Sequence, residues 1–437
     1  MKSLPIKMFT IYILTTLFLS FFGPMKYYNY DKLLVFLYVI GFLFCLYLGY
    51  AIANRYKIVL KKKPQLSHDA TMVIAHKNQK KIKKFVRITI LIAFFSIFLE
   101  FFEILIKNPA AFSLSNMAGN YFEINLENSS SFYSIPILFR FLTGFFRNAS
   151  IILGIYYWRT LKKSYKVILL MYFILLVIVN MLAYGTQKFL GDLVIFTVIV
   201  LSIRMMDSDK KRAFKIIKNS IILVLLLIVT FTFVQSQRYA LLGVTVENYG
   251  IRSGGQLYFD TNHIIFKILG NEFGLGLAIL LTGYLSSGYY GLSLCFKLPF
   301  EWTYGIGNSY FMSKLISVVF KTSEIYDRTY LNRMTEVFGR NGLRTWNTIF
   351  PWLASDFTFL GTLLIFIFVG YIWQTAWLEI IKYRNPVSIL LFSILSLGLV
   401  FVPANNQLFN SIDTFISTVT TILFWLFYHK KYNYKVL

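Results

Sequence analysis

The chain has little charge and few acids. Asp, Glu, Lys and Arg make up 14% of its 437 residues, against about 25% in an ordinary soluble domain. Only 19 residues are acidic while 44 are Lys or Arg, a formal net charge of +25. Cysteine is nearly missing. Cys45 and Cys295 stand alone, too few for a metal cluster, and Cys45 sits inside an apolar run, an unsuitable place for a disulfide. There is no His-Glu-x-x-His, no Gly-x-Ser-x-Gly and no P-loop, which removes the zinc-protease, hydrolase and ATPase motifs. Fixed-period repeats and low-complexity linkers are missing too. What fills the sequence is apolar bulk, 57% of residues. It comes in continuous runs of the length a bilayer-spanning helix needs, roughly 20 residues. Continuous runs, as opposed to alternating ones, exclude a membrane barrel. The fold class expected is all-α: a polytopic integral membrane protein.

Ten runs read as spanning helices. Seven come first, at about Met8–Phe22, Leu33–Ala53, Ile88–Ile106, Ile135–Tyr157, Val167–Ala183, Phe189–Ile203 and Ile221–Val234. Three follow late, at about Phe357–Trp377, Val387–Val402 and Ile412–Phe427. Arg55–Arg87 holds eleven Lys or Arg and one acid, Asp69, and segments of that kind stay in the cytoplasm. Basic loops at Arg159–Lys166 and Arg204–Lys218 and the tail His429-Lys430-Lys431 belong on the same side. Both termini are therefore expected inside. These loops and the anionic membrane lipid they meet account for the positive charge, so nucleic acid is not an expected partner. The count divides the chain into a bundle of seven spans (1–234), a large external region (235–355) and a bundle of three spans (356–437). Within the external region, Ile264–Leu285 is apolar enough to enter the bilayer. It is expected to be a partly inserted or re-entrant helix buried against protein, with two full crossings as the alternative.

The arginines are unevenly placed. Within Gln235–Ser355 there are six Arg and four Lys, whereas the rest of the chain has eight Arg and 26 Lys. The six are Arg238, Arg252, Arg328, Arg333, Arg340 and Arg344. An outside region should be poor in cations, so these are not orientation signals. Arginine suits phosphate, because its planar fork offers paired donors and its charge is permanent. The competing reading is structural, since seven acids share the region and can pair with them. Arg140 and Arg147 lie within the fourth apolar run, seven residues apart and so on one helix face. A cation inside a spanning helix marks a functional candidate, and the alternative is pairing with Glu100 or Glu103. Exposed aromatic rings in the same external region, among them Tyr284, Tyr290, Trp302 and Tyr304, suit the apolar faces of sugars. By themselves they read first as an interfacial aromatic belt.

Two stretches carry a family resemblance. The first is Gly283-Tyr-Leu-Ser-Ser-Gly-Tyr-Tyr-Gly-Leu292, followed by Tyr304-Gly-Ile-Gly-Asn-Ser309. The second is Arg344-Thr-Trp-Asn-Thr348 with Ala354-Ser-Asp-Phe-Thr-Phe-Leu-Gly361. Together they resemble the bacterial oligosaccharide repeat-unit polymerases that build O-antigen and capsule. That family usually has Asp-Phe-Gly before a spanning helix, and here Thr358 stands at the glycine. Where relatives often carry Gly-x-Arg, this chain has Gly185-Thr-Gln-Lys188. The resemblance implies a metal-independent membrane glycosyltransferase without cofactor, multi-pass in the bacterial cytoplasmic membrane. It would transfer a growing glycan from undecaprenyl diphosphate to a new lipid-linked repeat unit at the outer face, alongside a chain-length-regulating membrane protein. The eight arginines would then serve the diphosphate, stabilising the charge that grows on it. A base would help the acceptor hydroxyl attack. Candidates are His263, with an ordinary pKa near neutrality, Asp260, placed to orient it if the segment is helical, and Glu272, if burial raises its pKa. A leaving-group oxygen that takes the proton itself is the alternative. Two other readings stay open: a flippase of lipid-linked oligosaccharide and an O-antigen ligase.

Overall fold

The structure is a computed structural model that describes residues 2–55, 68–113, 135–206, 208–241, 243–252 and 256–432. Helices α1 (Leu4–Phe22) and α2 (Lys32–Arg55) flank a short strand, β1 (Met25–Tyr27). Then come α3 (His68–Lys107), α4 (Ile135–Tyr156), α5 (Lys163–Val177), α6 (Lys188–Met205) and α7 (Lys210–Leu241). A single turn α8 (Tyr249–Arg252) and strand β2 (Leu257–Phe259) lead into α9 (Ile264–Ala278). The remainder is α10 (Gly288–Cys295), α11 (Tyr310–Phe320), α12 (Glu324–Asp327), α13 (Tyr330–Phe338), α14 (Ile349–Tyr383), α15 (Pro386–Val400) and α16 (Ile412–Tyr432). The ten apolar runs fall on α1 to α7 and α14 to α16, with end shifts of a residue or two at α4 and α15; the fifth run continues past α5 through a π-helical turn at Ile178–Ala183.

Among the described residues, seven helices are long and apolar enough to cross a membrane: Leu4–Phe22, Lys32–Arg55, Gln79–Lys107, Lys163–Ala183, Lys210–Gln237, Ile264–Tyr284 and Ile349–Tyr383. Helices α4 and α6 differ by carrying their own charges, and α15 and α16 have shorter apolar stretches. Large apolar side chains such as Leu33, Phe44, Leu360 and Phe368 are exposed on the molecule. That is the surface a bilayer accepts and water does not. The protein is a helical membrane protein.

By compactness the chain forms two units, each drawn from several stretches. The first is Met1–Ala53, Leu225–Ile372 and Gly398–Asn410. In it α2 and α14 approach backbone to backbone. A Cβ at Gly49 would overlap the Ile367 carbonyl, and one at Gly370 the Leu46 carbonyl, the use small residues have between membrane helices. Strands β1 and β2 form an antiparallel ribbon that pairs Met25 with Phe259 and Tyr27 with Leu257. Met25, Leu257, Phe259, Phe266 and Leu275 pack together beneath it. The segment expected to enter the bilayer is helical but broken. Gly270 has φ 71° and ψ 174°, and the helix widens into a π-turn at Ile279–Tyr284. Its Phe266, Leu275 and Ala278 are buried while Ile264, Ile268 and Phe273 are exposed. A second break lies in α14 at Thr358, φ 61° and ψ 168°. Phe359–Tyr383 alone reaches about 37 Å, more than the roughly 30 Å hydrocarbon layer, so the part before the break is not needed for spanning.

The second unit is Asn54–Val224, Trp373–Leu397 and Ser411–Leu437. Helix α4 is its centre and packs on α3, α6 and α16. Gly144 lets α16 come close, since a Cβ there would crowd the Asp413 Cα at 3.2 Å.

Candidate functional site

The two stretches that carry the resemblance meet in the first unit. Gly288 and Gly291 on α10 face Asn347 and Thr348. A Cβ at Gly291 would overlap the Asn347 Oδ1 and crowd the Arg340 Nε at 3.4 Å, and one at Gly288 would crowd the Thr348 amide at 2.7 Å. Glycine is required at both by this close approach. Between the stretches lies Arg340, 5% exposed. Its Nη2 donates to the carbonyls of Ser287 (3.2 Å) and Trp346 (3.0 Å). Its guanidinium lies 5.3 Å from the centre of the Tyr290 ring, and Tyr27 stacks on Tyr290 at 4.4 Å and 17°. Tyr284 lies against Trp346 and accepts a hydrogen bond from the buried Gln235.

Arg340 makes no ion pair among the described residues. The groups that act on its charge are Tyr27, Tyr290, Tyr249 and Cys295, and burial holds its pKa below the usual arginine value. Burial also raises the Tyr27 and Tyr249 hydroxyls, Tyr249 to about 12. The Arg340 Nε and the Asn347 Oδ1 are both buried with no hydrogen-bond partner. A buried cation held only by carbonyls and aromatic faces is costly. An anion arriving beside it would supply the missing charge.

The other five arginines of the region fare differently. Arg333 is committed to protein: Nη1 donates to Glu301 Oε1 (3.0 Å) and to the Pro299 carbonyl (2.8 Å), and Nε to the Arg328 carbonyl (3.1 Å). Arg328 pairs with Glu324 at 2.7 Å and covers the Tyr304 ring at 5.2 Å. Arg344 is exposed. The side chains of Arg238 and Arg252 lie outside the described residues. Arg328 and Arg333 are thus joined to each other, while Arg340 has its own setting.

Of the three expected bases, Asp260 and His263 do not share a helix, and Glu272 is not buried. Asp260 and His263 lie in a turn after β2 and not in a helix, because the Asp260 amide is drawn to the Pro24 carbonyl (2.8 Å) and the ribbon ends there. The Asp260 carboxylate accepts from the Asn262 amide (3.1 Å) and is not seen to orient the imidazole. His263 caps α9, its Nδ1 accepting from the Ile265 amide at 3.3 Å. Glu272 is exposed, so the burial on which its candidacy rested is missing.

Asp356 was not singled out as a site residue, yet it organises the Tyr304–Ser309 stretch. Its Oδ1 accepts from the Thr303 hydroxyl and the Gly305 amide, and its Oδ2 from the Asn308 amide and side chain. Four donors on one buried carboxylate fix the loop. The signal was available: an acid immediately ahead of a long apolar run needs partners.

In the second unit Arg140 and Arg147 are paired. Arg147, 4% exposed, binds Glu100 and Ser96. Arg140 binds Asp413 at 2.6 Å and approaches Glu100 at 3.5 Å. The Tyr184 hydroxyl donates to Glu100 at 2.7 Å. Glu103 instead pairs with Lys107 on its own helix. A cavity of about 350 Å³, walled by Leu99, Phe102 and Phe139, opens onto Glu100 and Arg140. No group of His, Cys, Asp and Glu that could hold a metal ion occurs among the described residues. Comparison with family models, curated proteins and solved structures finds no match to this chain.

Proposed function

We propose that the chain is a membrane glycosyltransferase that polymerises oligosaccharide repeat units carried on undecaprenyl diphosphate. In this reading ten helices span the bacterial cytoplasmic membrane, both termini lie inside, and the site faces out. One observation carries it: Arg340 is buried between the two motif stretches, and among the described residues no carboxylate pairs with it. The lipid diphosphate brings the balancing charge. Bonding to its non-bridging oxygens strengthens as the bond between anomeric carbon and diphosphate oxygen breaks, because charge then grows on those oxygens. The acceptor hydroxyl forms the new bond to the anomeric carbon. Its proton goes to a phosphate oxygen, since His263 is occupied as a cap and Glu272 and Asp260 are not paired with it.

The test is Arg340→Lys in cells, with protein level checked. Lysine keeps the charge and loses the fork, so polymer should fall to single repeat units while lipid-linked units collect on the outer face. Full-length polymer from Arg340→Lys would sink the reading. The charged cluster of Glu100, Arg140, Arg147 and Asp413 beside its cavity favours a second reading, a flippase of lipid-linked oligosaccharide. In that case the units collect on the inner face.

A further inference from the structure

Six Tyr and Trp residues of the region between Tyr284 and Tyr310 suit sugars equally well by type, and the structure separates them. Tyr289 and Tyr290 are buried, and Tyr284 and Tyr310 half-buried, whereas Trp302 is 53% and Tyr304 46% exposed. These two rings meet at 5.1 Å and 52°. We infer that Trp302 and Tyr304, with Arg328 beside them, form a platform that binds the saccharide part of the substrate. The inference rests on the glycosyltransferase reading and adds to it a subsite separate from Arg340.

Three features favour a sugar ring over lipid. First, the rings sit on an irregular loop and not at the end of a spanning helix, where interfacial aromatics gather. Second, their exposure is imposed. Tyr304 has φ 59°, a conformation that an aromatic residue adopts only when its surroundings force it. The four hydrogen bonds to Asp356 supply that force. A platform fixed in advance loses little entropy on binding. Third, the aromatic surface is bordered by charge. The Arg328 guanidinium covers part of Tyr304, and its partner Glu324 is 56% exposed. A pyranose offers carbon-bound hydrogens to an aromatic face and hydroxyls at its edge, and paired donors and acceptors beside the face match those hydroxyls.

The test uses the full chain in detergent and, as probe, the lipid-free repeat-unit oligosaccharide released from the host cell's own surface polysaccharide. Binding is read by saturation-transfer NMR. Trp302→Ala removes an exposed ring, and Tyr304→Gly removes the other while suiting the backbone, so neither should disturb folding. Each should weaken binding about tenfold. The probe carries no diphosphate, so this result stands apart from the polymer assay of Arg340→Lys. No binding by the wild type, or equal binding by both variants, overturns the platform. Quenching by brominated lipid that is present in the wild type and lost in Trp302→Phe would then mark an interfacial anchor instead.

Discussion

Thr358→Gly should stabilise the protein, although glycine inside a helical segment usually does the opposite. Thr358 has φ 61° and ψ 168°, a region that is essentially glycine's alone and costs another residue about 1–3 kcal/mol. Two terms oppose the gain. Glycine adds about 0.4–1 kcal/mol of freedom to the unfolded chain. The Thr358 hydroxyl accepts from the Gly361 amide at 3.2 Å and caps the second half of α14; exchanging a capping threonine for glycine costs a few tenths of a kcal/mol. The side chain is exposed, so little packing is lost. Taken at their middle values, these terms leave a gain of about 1 kcal/mol. Thr358→Ala loses the cap and keeps the strain, so it should lose about 1 kcal/mol. Heating both variants in detergent, with the folded fraction read by fluorescence-detected size exclusion, gives the two signs. A midpoint that falls in Thr358→Gly as it does in Thr358→Ala would show that the backbone at 358 is not left-handed.

Glu100→Gln leaves Arg140 and Arg147 sharing Asp413, one buried cation in excess, which should cost about 3–5 kcal/mol in the same thermal assay; adding Arg147→Met should recover most of it, and a double variant no better than the single one counts against the pairing. His263→Ala should lower stability by about 1 kcal/mol through loss of the cap while His263→Asn does not. Both should make polymer of normal length, and loss of polymer in a stable His263→Asn would restore the imidazole as the base.

The helices were legible because an apolar run of spanning length has few other folds open to it. The partners were harder to read. Asp413 was passed over as the edge of the run at Ile412–Phe427, yet it is the acid that binds Arg140. Glu103 was a candidate partner by its nearness to Glu100, but its side chain points to Lys107 one turn on. The Asp260–His263 spacing suited a helix until the pairing of β2 with β1, which joins Phe259 to the distant Met25, claimed the local backbone. Three-residue strands leave no alternating pattern to detect. Thr358 was noted only as a departure from glycine, and the backbone explains why glycine belongs there.

What distinguishes the arginines is therefore their company and not their number. Arg140 and Arg147 meet Glu100 and Asp413, two cations with two anions, on α3, α4 and α16. Such a cluster is balanced, and removing any one member leaves a charge stranded. Arg333 and Arg328 each have a carboxylate, Glu301 and Glu324. Arg340 is buried as deeply as Arg147, but its partners among the described residues are carbonyls and the Tyr290 face. Aromatic faces and carbonyl dipoles hold a guanidinium in place without neutralising it. Its remaining demand is for negative charge, and a diphosphate supplies that while a neutral sugar does not. Under the proposed function the neutral part of the substrate then needs a different surface, and the exposed rings of Trp302 and Tyr304 offer one.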